Sequence, residues 1–148
     1  MSKEEMNPEN EIATIDKDSV LATQSSLGGS FCSFDTSTLD GKKRLFRATS
    51  NPDVSLKSMI NKEIHVVDVF AKPVSLTDEK TGEVKDGINV VFFDKEGVSY
   101  TATSIGVANA TRAMLDVFGH PSTWEGPVTI IPKQISVAAG NMLSFDIK

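Results

Sequence analysis

Four cations stand close together in this chain: Lys42, Lys43, Arg44 and Arg47. Cations this crowded suit one chemistry above others, the neutralisation of a phosphate backbone. The excess continues from Gly41 to Lys72, where these four and Lys57, Lys62 and Lys72 face only Asp53, Glu63 and Asp68. Lys133, beside Gln134 and near Asn141, is a further candidate for a phosphate contact. Phe31, Phe34 and Phe46 are interleaved with the basic run. That mixture suits a nucleic-acid contact. It suits equally a hairpin that packs its rings on the body of the protein or on a second subunit. Phe92, Phe93 and Tyr100 form another aromatic group. An exposed ring on which a base can stack is worth about 1–3 kcal/mol. Phe92 and Phe93 are adjacent on a strand pattern, so they leave opposite faces and one of them is expected to be exposed. The polar tip of Tyr100 makes partial exposure cheap.

No arrangement of residues competes with this reading as a catalytic site. His65 falls in the middle of a strand pattern and His120 follows a helix end, with no cysteine or carboxylate at metal-ligand spacing beside either. There is no glycine-rich phosphate loop, nucleophile elbow or HExxH sequence. The protein is therefore read as a non-enzyme without metal or cofactor. Cys32 is alone and is read as a small, half-buried strand residue.

The net charge of −5 argues against a polyanionic partner until its distribution is considered. Residues 1–40 hold two lysines against eight acidic residues, whereas the remainder holds thirteen basic against twelve acidic ones. The acidity thus sits in the leading segment, and local field rather than total charge governs phosphate binding. No run of about eighteen apolar residues suggests a membrane span, and the start lacks the basic and apolar regions of a secretory signal. A cytoplasmic location is the expectation.

The elements that must carry these residues follow from pattern. Residues 1–24 read as a flexible acidic arm whose Ile12, Ile15 and Leu21 could dock on a neighbouring subunit. Residues 25–148 read as a single domain. Within it, residues 28–50 suggest an extra hairpin, two β-rich runs around the turn signal Asp40-Gly41. The barrel proper spans residues 63–148. Its first strand starts at Glu63, with Ile64, Val66 and Asp68 on one face and His65, Val67, Val69 and Ala71 on the other. A polar loop over Thr77–Gly87 leads to strands over Ile88–Asp94 and Val98–Thr103. Ser104 as cap and Gly119 as stop frame a helix over Ile105–Phe118, with Val107, Ala110, Met114 and Val117 or Phe118 facing the barrel. Trp124 is placed to seal the barrel end against that helix. Two strands complete the chain, the first broken at Pro132.

Three strands, one helix and two strands is the element order of an OB-fold, a five-stranded Greek-key barrel. The expected fold is thus all-β with one helix between strands 3 and 4, plus the N-terminal hairpin. The runs "MINKEIHVVDVF", "DEKTGEVKDGINVVFFDKEGVSYTATSIGV" and "VTIIPKQIS" resemble the OB-fold single-stranded DNA-binding proteins of Gram-positive phages and conjugative plasmids, the enterococcal conjugative type above all. The resemblance covers Leu56–Lys148. It implies sequence-independent binding of single-stranded DNA in replication or conjugative transfer, with self-association along the strand. It departs from housekeeping relatives, whose acidic tail lies at the C-terminus; here the acidic segment leads, so recruitment through a C-terminal tail is not expected. The expected contacts are Lys42, Lys43, Arg44, Arg47, Lys72 and Lys133 on phosphates, with Tyr100 and one of Phe92 or Phe93 on bases. RNA is an open alternative partner. A second function from another class is a non-catalytic protein-interaction module, an assembly factor, with Phe31, Phe34 and Phe46 as its interface.

Overall fold

The computed structural model describes residues 30–138 and 140–148. The arm expected over residues 1–24, and Gly28 and Gly29 ahead of the hairpin, lie outside the described residues. The elements are β1 (Phe31–Cys32), α1 (Leu39–Ser50), β2 (Val54–Ser55), β3 (Ile64–Thr77), β4 (Val84–Asp94), β5 (Ser99–Thr103), α2 (Ile105–Phe118), β6 (Val128–Val137) and β7 (Gly140–Ile147), with 3-10 turns at Leu56–Met59 between β2 and β3 and at Pro121–Thr123 between α2 and β6. The fold is mostly β: one curled, mixed sheet with two helices. Strand order is β2-β5-β4-β3-β6-β7, with β1 paired to β3. All pairs are antiparallel except β2 with β5.

β3 organises the sheet. One edge pairs with β4 as far as Thr77 and Val84. The other edge is divided, meeting β6 at Ile64–Val66 and β1 at Phe70 and Ala71. A bulge lies between Val66 and Asp68, where Val66 is opposite Asp94 and Asp68 opposite Phe93. One extra residue reverses the facing of everything after it. Ile64, Val66, Val69 and Ala71 therefore share the inner face of the curled sheet, where the sequence pattern had Val69 and Ala71 opposite Ile64. Inside they meet Val90, Phe92, Tyr100, Val107, Leu115, Ile130 and Phe145. Phe70, Val91 and Phe93 face outward and form a second apolar cluster with Ala48 of α1. β4 is thus covered on both faces, which is why its sequence is a continuous apolar run and not an alternating one.

The expected hairpin over residues 28–50 is corrected. Only Phe31–Cys32 is a strand, and Asp40-Gly41 opens a helix instead of turning a hairpin. Thr38 caps it, its Oγ1 accepting the Gly41 N–H at 3.0 Å, and Asp40 sits in the first turn where the helix dipole favours a carboxylate. Gly41, Arg44, Leu45 and Ala48 recur at helical spacing and turn inward. Cys32 is half-buried in β1, and burial raises its thiol pKa.

α2 covers the residues expected, with Ser104 as cap and Gly119 just past its end at φ 80°. Its buried face is Val107, Ala108, Thr111, Met114 and Leu115, whereas Val117 and Phe118 are exposed. Ser104 Oγ also donates to the Leu143 carbonyl at 2.7 Å, tying the helix to β7. Trp124 is half-buried against the core and its Nε1 donates to the Gly119 carbonyl at 3.0 Å. The polar loop shortens to Asp78–Glu83, because β3 and β4 pair further than their composition suggests. β6 runs unbroken through Pro132, which is buried, while its carbonyl accepts the Asn61 N–H at 2.8 Å.

At Gly106 α2 lies tight against β7: a methyl there would overlap the Leu143 carbonyl oxygen and crowd the Met142 side chain. Gly106→Ala should lower stability by about 1–3 kcal/mol through overpacking, despite Ala's better helix propensity. Urea unfolding followed by Trp124 fluorescence measures this, and an unchanged or raised midpoint would contradict the close approach.

Candidate nucleic-acid interface

The site is built from how α1 is held. Arg44 reaches down from the helix. Its guanidinium lies 4.1 Å from the centroid of Phe34 and 4.7 Å from that of Phe93, and its Nη2 is 3.1 Å from Asp68 Oδ2. Phe34 and Phe93 meet edge to face, with centroids 5.2 Å apart. Asp68 Oδ1 accepts the Ser33 hydroxyl at 2.8 Å, and Ser33 Oγ accepts the Val69 N–H at 2.9 Å. A planar cation can stack on rings and pair with a carboxylate at once, which lysine cannot do as well. Arg44 is therefore engaged in seating α1, with its side chain half-buried between the helix and the sheet.

The opposite face of α1 is open. Leu39, Lys42, Lys43, Phe46, Arg47 and Ser50 are all exposed. Lys42, Lys43 and Arg47 make no ion pair with another described residue. Three cations on one helical face, over a near-neutral body, create a local positive field.

The rings expected to stack on bases lie elsewhere. Phe92 is 0% exposed and meets Phe145 edge to face at 5.3 Å. Phe93 is 3% exposed beneath Arg44. The two do leave opposite faces, but the face expected to be open is roofed by α1. Tyr100 is 9% exposed, and its hydroxyl donates to Asp94 Oδ2 at 2.9 Å. Burial, then the bond to Asp94, pushes its phenol up to about 12. Phe31 is fully buried in the core inside the curled sheet, and Phe34 is half-buried against the outer cluster. Phe46 is the exception among these phenylalanines, 69% exposed. Its place was legible in the helical spacing of Lys42, Lys43, Phe46 and Arg47, which the hairpin reading obscured.

Beside the footing of α1 the outer sheet face turns polar. Lys72 stands opposite Asn89 on the neighbouring strand, and Asn89 stands opposite Thr103. The Asn89 amide nitrogen donates to Thr101 Oγ1 at 2.9 Å and to Thr103 Oγ1 at 3.0 Å. A groove of about 410 Å³ adjoins this strip, lined by Ser55, Lys57, Thr101, Thr103, Asn141 and Leu143 where β5 and β7 do not pair. Lys133 does not line this groove. It lies on the β6–β7 ribbon, beyond β3 in strand order, and pairs with Asp146 at 3.5 Å.

Both histidines have local partners: His65 Nδ1 lies 3.0 Å from Thr129 Oγ1, and His120 Nδ1 accepts the Ser122 N–H at 3.1 Å. Among the described residues no group of three His, Cys, Asp or Glu side chains could hold a metal ion, and no helix is long and apolar enough to cross a membrane.

A cationic helix face seated on a curled sheet carries the local charge that a polyanion-binding surface needs. The sequence model described as "Phage Single-stranded DNA-binding protein" matches residues 26–147, and the chain belongs to this phi29-type phage family. No curated protein matches the chain, and no solved structure does.

Two outcomes test this geometry. Arg44→Ala should cost about 1–3 kcal/mol, since it removes a cation–π stack and leaves Asp68 short of a partner. Hydrogen exchange across residues 39–50 should accelerate with it; unchanged exchange there would show that Arg44 does not seat the helix. Tyr100, the single tyrosine, has a folded pKa above its ordinary value of 10, so its contribution to stability is intact below pH 10 and is lost as pH rises through about 12. An ultraviolet titration of the phenolate should show this delay, and ionisation near 10 in the folded protein would contradict the buried bond to Asp94.

Proposed function

We propose that this protein binds single-stranded DNA without sequence preference, in phage or plasmid replication or in conjugative transfer, on an OB-type Greek-key scaffold. Family membership supports the ligand class. The single observation that supports its location is the exposed face of α1, where Lys42, Lys43 and Arg47 point away from the body. Phosphates would meet these three, and Lys72 with the Asn89–Thr101–Thr103 strip would continue the path. Arg44 would act indirectly, by holding the helix. Lys133 would add a weaker, separate approach, because Asp146 already neutralises it. The scaffold reading is supported by the β3–β4–β5 meander, by β3 pairing with both β4 and β6, and by α2 standing between β5 and β6. The seam between β5 and β7 fits the partly open form of such barrels. The sequence resemblance supports several copies coating one strand. Binding and release on this reading involve no bond-making step, so the protein is read as a non-enzyme.

The competing reading, a protein-interaction module, required Phe31, Phe34 and Phe46 as an interface. Phe31 is buried and Phe34 is half-buried beneath Arg44, so of the three only Phe46 is fully presented to a partner.

Fluorescence anisotropy of a labelled oligo-dT across a salt series tests the proposal. Log affinity should fall linearly with log salt, by about 0.7 for each neutralised phosphate. Replacing Lys42, Lys43 and Arg47 together with alanine should weaken binding and reduce that slope by about two. No binding by the wild-type protein at low salt and micromolar concentration would sink the proposal. An unchanged slope in the triple variant would move the interface off α1.

A further inference from the structure

We infer that Phe46 is the ring on which a base of the strand stacks, and that it makes the α1 surface selective for single strands over duplex. The inference rests on the proposed DNA binding and assigns its base contact. A phenylalanine left in water forgoes the gain of burial that Phe31, Phe34, Phe92 and Phe93 all obtain in this fold. The neighbouring Leu45 turns inward, so the helix uses its apolar capacity at that turn and still presents Phe46 outward.

Its surroundings fit a nucleotide. Lys42 and Lys43 precede Phe46 by four and three residues, spacings at which side chains are neighbours about 5–6 Å apart on a helix, and Arg47, four residues after Lys43, is exposed beyond it. A base lying on the ring would place its flanking phosphates within reach of cations on either side. The platform is also held firmly at its end. The Phe46 carbonyl accepts the Ser50 hydroxyl at 2.6 Å and the Thr49 hydroxyl at 3.0 Å, and the Asn51 N–H closes the last turn on the Arg47 carbonyl at 2.8 Å. Since α1 roofs the outer faces of Val91 and Phe93, the strand meets the helix and not the sheet beneath it.

Selectivity follows from what each form of DNA can offer. A single strand presents free base faces, and any base can stack, so the contact carries no sequence preference. In a duplex those faces are already stacked on one another. Duplex can then use only Lys42, Lys43 and Arg47.

The test compares the wild-type protein with Phe46→Ala and Phe46→Trp on oligo-dT and on a duplex of equal length. Phe46→Ala should weaken oligo-dT binding roughly 5- to 150-fold, the equivalent of one lost base stack. It should leave duplex binding and the salt slope unchanged, because no charge is lost. Phe46→Trp should restore oligo-dT binding, and its added indole fluorescence should be quenched by the bound strand. Phe46 is exposed, so neither substitution disturbs the core. Wild-type binding with Phe46→Ala equally tight overturns this inference and leaves the proposed function standing; absence of wild-type binding overturns the proposed function itself. Loss of self-association in sedimentation, with DNA affinity intact, would make Phe46 a protein contact and also overturn the inference.

Discussion

The contact of Arg44 with Phe34, Phe93 and Asp68 fixes how α1 lies, and the rest of the surface depends on that. The helix carries four cations, but only Arg44 shares a face with Gly41, Leu45 and Ala48. Drawing that face onto the sheet necessarily turns Lys42, Lys43, Phe46 and Arg47 outward, since residues three and four apart lie together on a helix. One interaction therefore buries the outer rings of the sheet and presents the cationic face. A lysine in place of Arg44 would keep the charge and lose both the fork and the flat stacking surface.

The second constraint is the bulge in β3. With an extra residue near Val67, the strand serves the inner face of the curled sheet at Ile64 and Val66, and again at Val69 and Ala71. It leaves Phe70 to the outer cluster. That outer cluster gives α1 an apolar footing, and the footing ends where Lys72 and Asn89 begin. The transition from apolar to polar along the outer face is what would let a strand continue from the helix onto the sheet.

Some of this was readable from residue order and some was not. For α2, the cap at Ser104, the spacing of Val107 and Met114 and the stop at Gly119 all agree, so its limits were legible. For α1, two local signals compete: Asp40-Gly41 suggests a hairpin turn, while Thr38 and the recurrence of Gly41, Leu45 and Ala48 suggest a helix. Tertiary packing of Arg44 and Ala48 decides for the helix, and that information is not local. The bulge is equally silent, because Val66-Val67-Asp68-Val69 looks like an uninterrupted strand. With α1 misread as part of a hairpin, nothing covers the outer face of β4, and the exposure of Phe93 follows wrongly. The cations Lys42, Lys43 and Arg47 were legible as candidates from their crowding alone, whereas the engagement of Arg44 and the pairing of Lys133 depend on partners distant in sequence.

The central claim is that the strand crosses the outer face of α1 and the polar strip beside it. Backbone amide chemical-shift mapping by NMR during an oligo-dT titration tests it most directly. The account predicts shifts concentrated at Lys42, Lys43, Phe46 and Arg47, continuing through Lys72, Asn89, Thr101 and Thr103. Shifts confined to the β6–β7 ribbon around Lys133 and Asp146, with α1 silent, would contradict it.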